Sequence, residues 1–311
     1  MMATHTRLSS PACGGGLDNI VAPFSLDAAP VRGRVVRLGV ALDSILRRHD
    51  YPRAVAMLLG EALSLAALVG SLLKVDGRLV VQTQGEGPVY LLVAEHSAGG
   101  LRGYARIRGG EDLSHAHRLA PAALLGAGNL VMTLDCGEGE TPYQGIVPLG
   151  GETLAACAEA YFRDSEQTDT GIRLAVGEVV GGDAPLWRGG GMLMQRIAAD
   201  AARGETSEDW SRASLLFATV RDEELIDPAL ASDRLLYRLF HQESARMGAP
   251  AALADRCSCD ENRLTQVMAR FPADELRDLI EPDGLLHARC QFCARNYLIA
   301  PSSVGPQASI A

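Results

Sequence analysis

Apolar residues dominate residues 54–73, a stretch of twenty that is long enough to cross a bilayer. Three polar residues interrupt it at spacings of three and seven, which places them on one side of a helix: Glu61, Ser64 and Ser71. The opposite side carries aliphatic residues, namely Leu58, Ala62, Leu65, Val69 and Leu72. No other stretch is a candidate span. The pattern therefore predicts a buried amphipathic helix in a soluble domain, and no membrane partner.

Short apolar runs separated by glycine-rich turns lie on both sides of this helix. They predict strands at 79–84, 89–95, 103–107, 129–135, 143–148 and 174–180. A strand followed by a short helix is predicted over 33–52, and a further helix over 152–162. Because strands and helices do not alternate regularly, we expect an α+β fold, with antiparallel strands in an N-terminal mixed α/β domain, and not a doubly wound sheet.

Residues 192–245 change character and are predicted to form helices at 192–203, 208–220 and 232–244. The preceding triplet Gly189–Gly191 predicts a loop or a hinge. The sequence thus predicts an N-terminal domain at 19–190, a helical linker at 191–249 and a small zinc-binding module at 250–300. Two short helices, 262–270 and 273–279, are expected inside the module, and loose tails are expected at 1–18 and 301–311.

Four of the seven cysteines fall in the module. Cys257 and Cys259 form a C-x-C pair, Cys290 and Cys293 form a C-x-x-C pair, and thirty residues separate the two pairs. Such a layout suits a tetrahedral all-thiolate zinc site with Zn–S distances of about 2.3 Å. Four thiolates also hold iron–sulfur clusters, but ligand softness and the two-pair layout favour one zinc ion per chain.

Zinc held by both pairs would clip together two distant segments of a module too small to build an adequate core alone. Disulfides within the pairs would close only small rings and remove that clip. Cross-pair disulfides, such as Cys257 to Cys290, would preserve it. The residues alone leave both connectivities open, and the two make opposite predictions about unfolding.

Other polar residues near and away from the cysteines have weaker interpretations. The arginines beside the ligands, Arg256, Arg263, Arg289 and Arg295, either favour reactive thiolates or offset the charge of the centre. His287 is a minor alternative ligand, and the H-x-H pair His115 and His117 has no partner at ligand spacing. The remaining thiols are expected to be exposed in the tail or packed in the domain: Cys13, Cys136 and Cys157.

Composition narrows the class of protein. The 311 residues are 47% hydrophobic and 22% charged, as in soluble globular proteins. A zinc ribbon acting in transcription or translation is an alternative function for the module. The formal net charge of -9 argues against it and against any nucleic-acid partner, because phosphate contacts need a basic face. An odd number of cysteines without an apolar leader indicates a reducing, cytoplasmic location. We find no nucleotide-binding glycine motif and no recognisable catalytic arrangement, which disfavours an enzyme carrying a structural zinc module.

The C-x-C, thirty residues, C-x-x-C ending is similar to that of the Hsp33 family of redox-regulated chaperones. Four further segments resemble family signatures in the expected order: 85–88, 161–167, 190–195 and 235–241. The resemblance covers about residues 18–300. The extension to about residue 18 and the three additional cysteines depart from the family pattern, and they bear on side reactions more than on function.

The resemblance implies a cytoplasmic holdase that uses no ATP, is not an enzyme, and is inactive while reduced and zinc-bound. Oxidation would join Cys257 to Cys259 and Cys290 to Cys293, release zinc and unfold part of the C-terminal half. The implied partners are unfolding client proteins and, in the oxidised state, a second copy of the chain. The expected metal ligands are the same four cysteines.

Overall fold

A computed structural model describes residues 6–7, 18–73, 77–109, 113, 120–137, 141–180, 184–197 and 206–304. The chain divides into two compact units, Met1–Asp255 and Arg256–Ala311. The strands of the first unit are β1 (Thr6–Arg7), β2 (Ile20–Leu26), β3 (Val31–Leu38), β4 (Arg78–Gly85), β5 (Val89–Ser97), β6 (Gly100–Ile107), β7 (Gly128–Asp135), β8 (Tyr143–Pro148), β9 (Thr170–Val180), β10 (Pro185–Arg196), β11 (Ala245–Met247), β12 (Ala251–Ala252) and β13 (Ala254–Asp255). Its helices are α1 (Val40–Leu46), α2 (Arg53–Gly70), α3 (Pro121–Leu125), α4 (Leu154–Asp164), α5 (Ser207–Phe217), α6 (Asp222–Ile226) and α7 (Ser232–Phe240).

Two sheets organise the first unit. Among the described residues, the first sheet has the order β1-β11-β2-β3-β10-β9, with β12 also paired to β2, and all of its pairs are antiparallel. The second sheet has the order β13-β6-β5-β4-β7-β8, and only its edge pair, β13 with β6, is parallel in the described chain. This arrangement confirms the predicted α+β class with antiparallel strands.

Helix α2 packs against strands of both sheets, and its side chains form the centre of the main core. Within the described residues it is long and apolar enough to be a membrane-span candidate, but 83% of it is buried inside the protein. The predicted buried helix is confirmed. The prediction of a distinct polar side is wrong at Ser64, because this residue is fully buried. The reason is that strands of both sheets pack against the helix, so residues nearly all round it are buried, and small Ser64 is buried with them.

A second core lies on the other face of the first sheet, under the connector helices α5, α6 and α7. Alternation along β3 separates the two cores: Val31 and Val35 face the connector helices, and Val36 and Leu38 face α2. The predicted helices at 208–220 and 232–244 are confirmed as α5 and α7. They are packed on the sheet of the first unit.

The helix predicted at 192–203 is wrong over residues 192–196, which belong to β10; residues 198–203 lie outside the described residues. The triplet Gly189–Gly191 is likewise neither loop nor hinge, since it lies in the middle of that strand. Met192 and Met194 face one core and Leu193 faces the other. Burial on both faces gives an unbroken apolar run, which carries no strand periodicity.

The ends of the chain also differ from the predicted loose tails. Thr6–Arg7 pair with β11, and Asp18 is ion-paired with Arg188, while the other residues of 1–17 and 305–311 lie outside the described residues. At the other end Pro301–Val304 form a short helix, α10, because Val304 packs into the core of the second unit. The last strands of the first unit end at Asp255, five residues beyond the predicted start of the module.

The second unit contains α8 (Glu261–Met268), α9 (Ala273–Asp278), β14 (Leu286–Arg289), β15 (Asn296–Ile299) and α10. The helices confirm the two predicted between the cysteine pairs. In the described chain its apolar core has four buried aliphatic side chains, Leu276, Leu286, Ile299 and Val304, with partly buried neighbours around them. A core of this size supplies little of the free energy that ordering the unit costs.

Candidate metal centre

Local structure brings the two cysteine pairs to the same end of the second unit. Cys257 and Cys259 lie just before α8, whose first turn is capped by the Asp260 carboxylate accepting from the Arg263 backbone N–H at 2.8 Å. Cys290 and Cys293 lie in the turn between β14 and β15. The Cys290 N–H donates to the Arg295 carbonyl, and the Cys290 carbonyl accepts from the Ala294 N–H, both at 2.9 Å. This turn points both thiols of the second pair toward the first.

The four sulfur atoms converge. The Sγ atoms of Cys257, Cys259, Cys290 and Cys293 all lie within 4.8 Å of one another, with Cys257 to Cys290 at 3.8 Å and Cys259 to Cys293 at 3.3 Å. Four ligands about 2.3 Å from a central zinc ion stand about 3.8 Å apart. The sulfur positions therefore fit a tetrahedral thiolate centre, and the cluster can hold a metal ion.

Polar contacts adjust the Cys259 thiol. Burial acts to raise its pKa, but the Tyr297 hydroxyl and the neighbouring thiols overcome that effect and lower the pKa to about 7. The hydroxyl lies 3.1 Å from Cys259 Sγ and donates to the Cys259 carbonyl at 3.2 Å. For Cys293 burial prevails and raises the pKa. Cys259 and Cys293, whose Sγ atoms are 3.3 Å apart, are thus unequal in their tendency to ionise.

Tyr297 is a site residue that the sequence did not reveal. It lies in β15, opposite Ala288 in the hairpin register, and its ring joins the small core while its hydroxyl reaches Cys259. The signal in the sequence was an aromatic residue four positions after the C-x-x-C pair. Hydrogen bonds of this kind hold ligands in place and tune the metal.

The other sequence candidates do not contribute to the four converging ligand atoms. His287 Nε2 is 2.8 Å from the Asp283 carboxylate, and the four converging ligand atoms do not include it. The Arg263 guanidinium donates to the carbonyl and the hydroxyl of Ser258. For Arg295, the hydrogen bond with Tyr297 comes first among the causes that raise its pKa, followed by the charges of Tyr297, Cys293 and Cys259.

The remaining histidines and cysteines named from the sequence have simple positions. Cys157 is buried in α4 and Cys136 is half-buried. Cys13, His115 and His117 lie outside the described residues. The described part of the chain has one group of three or more potential ligands within metal-binding distance, and it is the four-cysteine cluster.

Comparison with known proteins agrees with the family resemblance of the sequence. The family described as Hsp33 protein matches residues 19–300. A 33 kDa chaperonin of Caulobacter vibrioides is 49% identical over 291 residues, covering 92% of this chain and 96% of that protein. The 33 kDa chaperonin of Serratia proteamaculans is 37% identical over 270 residues, covering 86% of this chain and 87% of that protein.

A solved structure has the same fold. The crystal structure of a 33 kDa chaperonin, a heat shock protein 33 homolog from Thermotoga maritima, superposes with a TM-score of 0.77 at 22% identity, covering 92% of this chain and 96% of that one. The chain belongs to the Hsp33 family and is a chaperone of that family. Its relatives carry the name of chaperonins and not of enzymes.

Proposed function

We propose that the protein is a redox-regulated holdase, which works without ATP and binds unfolding proteins after oxidation. The observation that carries the proposal is the convergence of four thiols, within 4.8 Å, in a unit whose own core is small. In the reduced state Cys257, Cys259, Cys290 and Cys293 would hold one zinc ion. When bound, zinc would contribute on the order of 10 kcal/mol to folding of the unit by joining its two thiol-bearing segments.

The proposed switch is the oxidation of these sulfurs within each pair. Forming the Cys257–Cys259 bond and the Cys290–Cys293 bond removes two electrons from each pair of zinc-bound thiolates. For each disulfide, one hydrogen peroxide accepts the two electrons, takes two protons from solvent and becomes two waters, and the zinc ion leaves the sulfurs. Disulfide sulfur is a poor ligand compared with thiolate. The two segments would then lose their connection, and the second unit would unfold.

Unfolding of the second unit would be followed by loosening of the connector helices α5 to α7. Their packing covers an apolar sheet face that includes Val35, Met192 and Met194. Exposed apolar surface of this kind binds unfolded segments of other proteins. We further propose, from the family resemblance, a cytoplasmic location and a homodimer in the oxidised state. The net charge of -9 supports a protein client over nucleic acid.

An aggregation assay tests the proposal. A thermally unfolding client is followed by light scattering with the reduced, zinc-loaded protein and with the peroxide-treated protein, and disulfides are mapped in parallel. We expect suppression only after oxidation, together with within-pair disulfides and release of one zinc per chain. Disulfides between the pairs, or equal suppression in both states, would contradict the switch. No suppression in either state would contradict the holdase.

A further inference from the structure

The side chain of a buried arginine donates hydrogen bonds to main-chain carbonyl groups of the connector. Arg37, in β3, is 2% exposed, and its guanidinium donates to the carbonyl oxygens of Glu224, Leu225 and Leu230 at 2.8, 2.7 and 3.0 Å. Its Nε–H is buried and has no hydrogen-bond partner among the described residues. In the part of the chain that the structure describes, Arg37 has no ion-pair partner, so carbonyl groups are its direct acceptors.

A second buried arginine acts on the same segment. Arg188, in β10, is 7% exposed, donates through Nε to the Ile226 carbonyl at 2.8 Å and is ion-paired with Asp18. Together the two guanidinium groups bind four carbonyl groups of residues 224–230. This segment contains the end of α6 and the turn after it, where carbonyls have no intrahelical partner.

The sheet positions that pair with the two arginines are glycines, which have no side chain. Gly190 pairs with Arg37 on one side and with Ala175 on the other, and Gly177 pairs with Arg188. A Cβ at Gly190 would lie 2.0 Å from the Leu225 carbonyl oxygen. The absence of a side chain therefore lets a main chain lie directly on the sheet, within reach of both guanidinium groups.

The chemistry of these contacts is independent of side chains. Burial first, and then the charge of Arg188, lower the pKa of Arg37 to about 10, so the group remains a cation at neutral pH. A buried cation needs good acceptors, and carbonyl oxygens are present in every residue of any polypeptide. Arginine offers several donors in a fixed plane, which suits a chain with closely spaced carbonyls.

We propose that Arg37 and Arg188, together with the adjacent glycines Gly190 and Gly177, form a binding site for main-chain carbonyl groups of an unfolded client. Residues 224–230 occupy the site in the folded connector and are replaced by the client's backbone after the connector loosens. The site rests on the proposed holdase function and gives it a physical basis for accepting clients of unrelated sequence. A purely structural clasp would make the same contacts but would not contribute to client binding.

The test uses the full-length protein with Arg37→Met, and with Arg37→Lys as a variant that keeps the charge but has fewer donors. Arg32→Met is the matched control, because Arg32 lies on the same strand and faces the opposite side of the sheet. Reduced proteins are assayed for proteolysis within 207–240. Oxidised proteins are assayed for affinity to a permanently unfolded probe, carboxymethylated α-lactalbumin, with circular dichroism to establish folding.

We expect Arg37→Met to increase proteolysis of the reduced connector and to weaken binding of the oxidised protein to the probe by about tenfold, the loss of a charged hydrogen-bonding group. Arg37→Lys should be intermediate, and Arg32→Met should match the unmodified chain. A looser connector with unchanged probe affinity would overturn the binding site and leave a clasp only. Absence of probe binding by the oxidised, unmodified chain would overturn the holdase function itself.

Discussion

His96 is a buried titratable side chain with no role in the thiol cluster. It lies in β5, is 8% exposed, and packs so closely on α2 that a Cβ at Gly70 would lie 2.4 Å from its Nδ1. The Nδ1 atom has no hydrogen-bond partner among the described residues. Burial lowers the pKa of His96, because the imidazolium form would be poorly solvated there. The neutral form is therefore part of the folded first unit.

The shift gives a signed prediction for stability against pH. The unfolded chain takes up a proton on His96 near pH 6.5, whereas the folded chain does so only at lower pH. The contribution is fully present above about pH 6.5 and is lost as the pH falls from there toward the pKa of the folded state. We expect His96→Leu to reduce the pH dependence of the first unit's unfolding temperature between about pH 6.5 and 5.

Calorimetry of the reduced, full-length protein makes this measurement, and His241→Gln serves as the control because His241 is exposed. The control should keep the pH dependence of the unmodified chain. An unchanged slope in His96→Leu would mean that other groups cause the acid sensitivity of this unit.

Single residues of the four-cysteine cluster and its surroundings differ in how far they could be predicted. The four cysteines follow from spacing alone, because two close pairs rarely arise by chance in a cysteine-poor chain. Tyr297 does not follow, since its contact with Cys259 depends on the register of the β14–β15 hairpin and on the path of the chain before α8. The role of Arg37 could not be predicted either, because its partners lie about 190 residues away and are main-chain atoms.

At the scale of elements, most strands and helices could be predicted and β10 could not. Most of the predicted strands lie in the second sheet, and the strand predicted at 174–180 is part of β9, at the edge of the first. Buried and more exposed positions alternate visibly along β4, β7 and β8. β10 is central and is covered by α2 on one face and by the connector on the other. Its three consecutive glycines are typical of a loop, whereas in the fold they allow close approach from both sides.

The same close approach predicts the effect of a small substitution. Gly190→Ala would place a methyl group 2.0 Å from the Leu225 carbonyl oxygen, so α6 must move away from the sheet. We expect a loss of about 1 to 3 kcal/mol in the stability of the connector packing. Hydrogen exchange of residues 207–240 in the reduced protein measures it.

Gly109→Ala is the control, because a Cβ at Gly109 meets no atom of the described residues within 4 Å. It should leave the exchange of the connector unchanged. If hydrogen exchange of the connector in Gly190→Ala were as slow as in the unmodified chain, the packing of α6 would not require a glycine at position 190.

At the scale of the whole molecule, the two units differ in the size of their apolar cores. The first has a large core between two sheets and a second core under the connector. The second has a small core, with four buried side chains among its described residues, and the thiol cluster. We therefore expect chelation of metal from the reduced protein to abolish the protection of 256–304 against hydrogen exchange, while the main core of the first unit keeps its protection.

Mass spectrometry of exchanged peptides, with metal analysis of the same samples, tests this expectation. Adding zinc back should restore protection in the second unit. Persistent protection of residues 256–304 in metal-free, reduced protein would show that the small core is sufficient for folding. It would also remove the basis for a switch that acts through the thiols.

Strand β13 ends the first unit with a firm attachment. Asp255 accepts from Ser44 at 2.7 Å and is ion-paired with Arg48, both from the α1 region, two residues before Cys257. These contacts anchor the start of the chain that follows Asp255 to the first unit. If the second unit unfolds, the chain after Asp255 becomes a flexible segment with a root-mean-square end-to-end distance of roughly 40 Å. Because this segment stays attached, its effective concentration near the first unit would be high. It would therefore compete with client polypeptides for binding to the first unit.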